Sequence, residues 1–295
     1  MMTKPRIYGL VGFPVKHSLS PLMHNAAFKQ LGVNASYGLF EVEPQDLKKF
    51  LLEKIFEENI FGCNITIPHK VCARQILEEK FPGSEDRDNR YVKLTGAVNT
   101  VKRDDGRLRY CNTDVPGFLL SLERDLGFQA KDKNALIMGC GGAGRAVVAA
   151  LLDKGTAGIY VYEPDKNTVA AAQEHFGKIS GSGGQLNFMA LGDLEDIAEK
   201  CDLLVNASFV GMKEGDPSPI DKKYLHKDLF VYDVVYNKET RLIKDARSLG
   251  LEACGGLGML LYQGVYAFSY WTGLAIEDIP VELMRQELEK GLKRA

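Results

Sequence analysis

The chain has 295 residues, enough for about two domains at the usual ~150 residues each. Lys and Arg (37) nearly balance Asp and Glu (39), for a net charge of −2, which argues against a nucleic-acid binder working through a bulk basic face. With 45% hydrophobic and 26% charged residues, the composition is that of an ordinary soluble globular protein with ample core material.

Short apolar runs alternate with amphipathic stretches, the mark of an α/β chain. Ile7–Gly12 is expected as a strand, Ser20–Gly32 as a helix, Tyr37–Val42 as a strand and Pro44–Glu58 as a helix. A strand over Gly62–Ile67 and a helix over Lys70–Lys80 follow. The charged stretch Glu85–Arg90 is expected to be a solvated loop. Asn99–Lys102 and Leu108–Cys111 form a hairpin around Asp104-Asp105-Gly106, a favourable turn sequence. A second α/β unit begins at Asn134, with a strand over Ala135–Met138, a glycine cluster and a helix over Arg145–Lys154. Ile159–Tyr162 is the next strand and Lys166–Phe176 the next helix, with further strands at Leu203–Asn206 and Leu229–Val235. Ser180–Gly184 has the composition of a flexible surface loop.

Six cysteines form no C-x-x-C pair and read as reduced, mostly buried thiols of a cytoplasmic protein. Ile7–Val15 imitates a short signal core, but Gly9, Gly12 and Pro14 break it, so no targeting segment is expected. Ala253–Ile276 carries no charge and is long enough to span a bilayer. Its glycines, Gln263, Ser269, Thr272 and three tyrosines favour instead a buried helix whose polar members face a site.

Gly139-Cys140-Gly141-Gly142-Ala143-Gly144 fits G-x-G-x-x-G, directly after an expected strand and opening an expected helix. Gly139 permits the tight turn, Gly141 lets backbone N–H groups approach a pyrophosphate, and Gly144 allows close helix–strand packing. The helix N-terminus adds partial positive charge. Glu163 ends the following strand, where a ribose-binding acid belongs.

In the N-terminal half, two polar clusters follow expected strands. Ser18 and Ser20 in His17-Ser-Leu-Ser-Pro21 offer two hydroxyls to a carboxylate, although Ser20 before Pro21 also fits a simple helix N-cap. Asn64 and Thr66 fall on one face, and Lys70 arrives at a helix start, where a cation opposes the helix dipole unless it has another role. Asp114, at the domain junction, fits either an N-cap or a partner for that lysine in proton transfer beside a hydride acceptor.

H-S-L-S-P, N-I-T-I-P-H-K, G-A-V-N-T, N-T-D-x-x-G, G-C-G-G-A-G, D-V-V-Y-N and G-M-L-L-Y-Q-G, ending in W-T-G, occur here in the order found in the shikimate and quinate/shikimate dehydrogenases. The sequence resembles that family over nearly its whole length. The resemblance implies a substrate domain of α/β type over 1–113 and 258–295, with C-terminal helices returning to it. It also implies a Rossmann-type doubly wound dinucleotide-binding domain over 114–257. Lys70 and Asp114 would be the catalytic pair, and Ser18, Ser20, Thr66, Asn99, Tyr236 and Gln263 the substrate contacts. Cofactor contacts would come from Gly139, Gly141, Gly142, Ala143, Gly144, Glu163, Asp165, Ser208, Gly256 and Met259. Two departures stand out. Glu163-Pro164-Asp165 replaces the Asn-Arg-Thr of NADP-dependent members, and Phe209 follows Ser208 where Pro or Ser is usual.

Reversible reduction of 3-dehydroshikimate to shikimate is therefore the expected activity. NAD is the preferred cofactor on the Glu163 argument, with NADP possible. A quinate-preferring dehydrogenase is the alternative within the class, and a non-catalytic sensor of dinucleotide and small acid the alternative outside it. His24, His69, His175 and His226 have no metal-ligand spacing and are expected to be structural or surface residues, with no metal needed. The expected partner is the small-molecule substrate, with no nucleic acid and no membrane, for a chain acting as a monomer or homodimer.

Overall fold

The computed structural model describes residues 4–83, 90–179 and 185–294. The chain forms two compact units, one of Met1–Asp114 with Leu261–Ala295 and one of Val115–Leu260. Strands are numbered β1–β11, and the helices of eight or more described residues α1–α8.

The first unit holds β1 (Arg6–Gly12), α1 (Ser20–Gln30), β2 (Ala35–Glu41), β3 (Ile60–Ile65), α2 (Lys70–Lys80), β4 (Thr100–Asp104) and β5 (Arg107–Cys111). Its sheet runs β2-β1-β3-β4-β5, with β1, β2 and β3 parallel and the last two pairings antiparallel. The β4–β5 turn puts Asp105 and Gly106 at φ 44 and 74, the two positive values that a type I′ hairpin turn requires. Residues 44–57 are helical as expected, but the run passes through a π-helical stretch, Phe50–Lys54. One core layer gathers Val11, Leu47, Leu51, Ile55, Ile60 and Val101. An aromatic group comprises Tyr8, Phe28, Phe268 and Trp271, with Phe28 and Phe268 at 4.8 Å. Trp271 Nε1 donates to Val101 O at 2.9 Å, and a Cβ on Gly62 would lie 2.6 Å from that nitrogen, so β3 needs glycine there.

The second unit contains β6 (Asn134–Met138), α4 (Gly142–Asp153), β7 (Gly158–Tyr162), α5 (Lys166–Gly177), β8 (Leu186–Phe188) and β9 (Leu203–Asn206). β10 (Phe230–Asp233), α6 (Arg241–Ser248) and β11 (Ala253–Gly255) complete it. Its all-parallel sheet has the order β11-β10-β9-β6-β7-β8, the doubly wound arrangement whose switch point lies between β6 and β9. Helix α3 (Asp114–Arg124) starts at the junction of the two units, α7 (Leu257–Thr272) spans the return, and α8 (Val281–Leu292) packs on α1 in the first unit.

Several expectations need correction. The uncharged run Ala253–Ile276 is not one helix; it divides into β11 and the 16-residue α7. No helix among the described residues is long and apolar enough to cross a membrane. Arg90 is not in a loop but starts the short helix Arg90–Thr95, while 85–89 and the glycine-serine stretch 180–184 lie outside the described residues. Helix α4 starts at Gly142 rather than Arg145, so the end of the glycine cluster is already helical.

Candidate active site

In the first unit, α2 begins at Lys70 and α3 at Asp114, and Lys70 Nζ donates to Asp114 Oδ2 at 2.6 Å. The two side chains are only 14% and 7% exposed, and such burial of charge is tolerated because the pair is joined. Asp114 is therefore not merely an N-cap. Its carboxylate faces the lysine, and its N–H is held by Asn112 Oδ1 at 3.0 Å. Asn112 in turn donates to Thr95 Oγ1 and Ala97 O, each at 3.1 Å.

Next to this pair lies a hydrogen-bond network that converges on Asn99 Oδ1, which accepts from both Thr113 N and Thr100 Oγ1. Thr113 N donates to Asn99 Oδ1 at 2.7 Å, Asn99 Nδ2 donates to Thr113 Oγ1 at 3.0 Å, and Thr100 Oγ1 donates to Asn99 Oδ1 at 3.0 Å. Asn64 Nδ2 donates to Thr100 Oγ1 at 3.1 Å, and Asn64 Oδ1 accepts from the Tyr37 hydroxyl at 2.8 Å. The Ser20 hydroxyl completes the network as a partner of Tyr37, whose own proton burial holds well above the usual range. Ser18 Oγ donates to Ser20 Oγ and accepts the Ser20 N–H, both at 3.2 Å. Capping does not explain Ser20. Leu19 occupies the cap position of α1 and Ser20 is the first helical residue.

Thr66 lies just past β3, where its methyl packs against Gly12 so closely that a Cβ there would be 2.4 Å away. Gln263 is buried on α7 in the first unit, and Tyr236 is half-buried just after β10 in the second. Asn112 and Thr113 lie in the N-T-D-x-x-G motif, which by itself gave them no role, and Tyr37 carried no signal beyond its strand.

The second unit brings the glycine turn, Glu163, Asp165 and Ser208 together. Gly139 has φ 96, and a Cβ on it would be 2.9 Å from Ser208 Cα, so it is glycine for two reasons. A Cβ on Gly144 would sit 2.3 Å from Gly139 O, while nothing lies within 4 Å of the Cβ position of Gly141. The turn is closed beneath and open above, and the first N–H groups of α4, at Gly142, Ala143 and Gly144, have no partner within the helix. Glu163 Oε2 accepts from Cys140 N at 2.8 Å and Oε1 from Asp165 N at 3.0 Å, which ties the end of β7 to the turn. A carboxylate has about four acceptor positions, so two remain. These residues fit a dinucleotide: the open face at Gly141 would take a pyrophosphate and Glu163 a ribose.

Asp165, an expected cofactor contact, also has a structural part. It is the N-cap of α5, accepting from Thr168 Oγ1 at 2.6 Å, Thr168 N at 3.1 Å and Asn167 N at 3.3 Å. Those donors, the Thr168 hydroxyl first, lower its pKa, so its negative charge stays beside the turn. Gly256 is accounted for by packing, because a Cβ would lie 2.1 Å from Val234 O. The Met259 N–H meets the Tyr232 hydroxyl, which donates to Ser121 Oγ at 2.8 Å.

Behind Ser208 lies a buried network that the sequence did not reveal. Asn206 Nδ2 donates to Asp233 Oδ1 at 2.9 Å and to Val210 O at 3.0 Å, while Thr240 Oγ1 donates to Asp233 Oδ2 at 2.6 Å. Burial raises the Asp233 pKa, opposed by its three donors, Thr240 foremost. Among the described residues no group of three His, Cys, Asp or Glu is placed to hold a metal. His69 and His226 bond to the carbonyls of Val42 and Cys201, and His24 is buried in an aromatic stack.

A doubly wound sheet opening on a glycine turn, with a carboxylate at the end of the next strand, defines a dinucleotide-binding domain. Joined to a unit that buries a lysine–aspartate pair, it defines the class as a two-domain nicotinamide-dependent dehydrogenase. The sequence pattern of the shikimate dehydrogenase substrate binding domain matches residues 10–101, and that of the shikimate 5'-dehydrogenase C-terminal domain matches 256–289. The shikimate dehydrogenase (NADP(+)) of Methanopyrus kandleri is 38% identical over 97% of this chain and 96% of its own. Two solved structures are similar throughout. The Listeria monocytogenes shikimate 5-dehydrogenase in complex with shikimate and NAD has a TM-score of 0.83 and 30% identity, covering 97% of each chain. The Corynebacterium glutamicum quinate dehydrogenase in complex with NAD has a TM-score of 0.85 and 32% identity, covering 98% of this chain and 100% of that one. The chain belongs to the shikimate dehydrogenase family.

Proposed function

We propose that this protein catalyses the reversible reduction of 3-dehydroshikimate to shikimate, with NAD preferred to NADP, in the cytoplasm. The observation that carries the reading is the buried Lys70–Asp114 pair at 2.6 Å. The bound nicotinamide supplies or accepts the hydride at the ring carbon. In the reducing direction, the Lys70 ammonium donates to the ketone oxygen and gives up its proton as alkoxide charge develops. Asp114 holds that ammonium in place; in oxidation the same pair takes the alcohol proton. Ser18 and Ser20 receive the substrate carboxylate, the Ser20 hydroxyl turning from Tyr37 toward the ligand. Thr66, Asn99, Gln263 and Tyr236 are proposed to hold the ring hydroxyls.

Glu163 supports the NAD preference. Its two remaining acceptor positions suit the ribose hydroxyls of NAD, whereas a 2′-phosphate meets a carboxylate with Asp165 close behind. Arg145 is only 9% exposed and lies near Cys140, so it is poorly placed as a phosphate clamp. Steady-state kinetics over shikimate and quinate, each with NAD and NADP, test the proposal. The highest kcat/KM is expected for shikimate with NAD; no turnover in any cell of that grid would refute it.

A further inference from the structure

We infer that the Phe209 ring is the contact surface for the nicotinamide half of the bound dinucleotide. The inference rests on the dinucleotide reading of the glycine turn and assigns a residue where the chain departs from its family. Phe209 is 65% exposed, more than any other large hydrophobic side chain among the described residues. Exposure alone assigns it no role, since single apolar side chains are common at surfaces; a role needs a position that calls for it.

Strand order supplies one. β6 lies between β7 and β9, and the glycine turn follows β6. Glu163, at the end of β7, fixes the adenosine ribose on one side. A dinucleotide with its pyrophosphate over Gly141 then extends its other half toward the end of β9, where Ser208 touches the turn and Phe209 follows.

The ring also stands on a rigid base. Ser208 N and Oγ donate to Asn206 Oδ1 at 3.1 and 2.7 Å, and Val210 N donates to Ser208 Oγ at 3.2 Å. Asn206 Nδ2 holds Val210 O at 3.0 Å, and Met212 N holds Phe209 O at 3.2 Å. All four hydrogen-bonding positions of the Asn206 amide are used, by Asp233, Val210 and the two Ser208 groups, so the backbone on both sides of Phe209 is fixed. A flat apolar ring held out by a fixed turn matches a flat nicotinamide, and stacking pays little further ordering entropy.

The test measures binding without substrate. Fluorescence titration follows NADH, and displacement of NADH follows ADP-ribose, which lacks the nicotinamide, for wild type, Phe209→Ala and Phe209→Tyr. Phe209→Ala should raise the NADH dissociation constant about tenfold, the scale of one lost aromatic stack. ADP-ribose binding should be unchanged, and Phe209→Tyr should bind NADH as wild type does. Equal NADH binding by wild type and Phe209→Ala would overturn the inference, as would equal weakening of both ligands. A change only in sedimentation mass would mean that the ring meets a second copy of the chain instead. If wild type bound neither ligand, the dinucleotide reading itself would fall.

Discussion

Replacing Glu163 with Gln removes a negative charge from the end of β7 at constant side-chain length. In the native turn each carboxylate oxygen takes one backbone N–H, from Cys140 at 2.8 Å and from Asp165 at 3.0 Å. An amide has a single oxygen, so one of those N–H groups then faces an NH2, at a cost on the order of 1–3 kcal/mol. That cost falls on both dinucleotides and cancels from their ratio. The charge effect does not cancel. A 2′-phosphate of about −1.5 to −2 at ~5 Å from one carboxylate, in a dielectric near that of water, is repelled by about 1.2–1.7 kcal/mol. Physiological salt, with a screening length of ~8 Å, roughly halves this. Hydrogen bonds from the ribose hydroxyls of NAD to the charged carboxylate restore about 1.5 kcal/mol or more. Wild type should thus favour NAD by at least about tenfold in kcat/KM, or 1.4 kcal/mol. Glu163→Gln should bring that ratio close to unity, and Glu163→Asn with Pro164→Arg should move it toward NADP. Initial rates of shikimate oxidation with each dinucleotide, at low and high salt, give the ratio directly. An equal or better kcat/KM for NADP in wild type would refute the reasoning and point to the exposed Lys166 as the phosphate partner.

Ser18→Ala and Ser20→Ala should each weaken shikimate binding by roughly 1.5–3 kcal/mol, seen in KM more than in kcat, with the methyl ester discriminating poorly between wild type and Ser18→Ala. Equal use of ester and acid by wild type would contradict carboxylate recognition. Acid should destabilise the fold through His24, whose ring is fully buried between Tyr37 and Phe268 and whose pKa burial lowers to about 3. The unfolded chain takes up a proton near pH ~6.5 and the folded chain does not, so this stability is intact above that value and declines as pH falls toward the folded pKa, by about 3 kcal/mol near pH ~4. Denaturant midpoints should show that decline in wild type and a flatter acid limb in His24→Leu; parallel limbs would contradict it.

Where neighbours in sequence settle geometry, the sequence was readable. Asp105-Gly106 specified its turn, Gly139 announced a tight turn that the structure shows at φ 96, and Gly144 a close approach that it shows at 2.3 Å for an added Cβ. Three-residue strands such as β8 and β11 carry no usable period, and β11 hid inside an uncharged run. Residues at helix starts allow two readings each by sequence: Ser20, which also fits a cap, is the first helical residue, and Asp165, expected beside the cofactor, also caps α5. The polar chain through Tyr37, Asn64 and Thr113, and the Asn206–Asp233–Thr240 network, join residues far apart in sequence; only the assembled sheets bring them within hydrogen-bond reach.

The most direct test of the central claim is shikimate-dependent formation of reduced nicotinamide by wild type, Lys70→Ala, Asp114→Asn and the double variant. Lys70→Ala should lower kcat by about two to four decades, the scale of lost acid–base help, with a much smaller change in KM for shikimate. The double variant should lose far less than the sum of the two single losses in ΔG‡, because the pair acts as one unit. Near-normal turnover by Lys70→Ala, with the fold intact, would contradict the account.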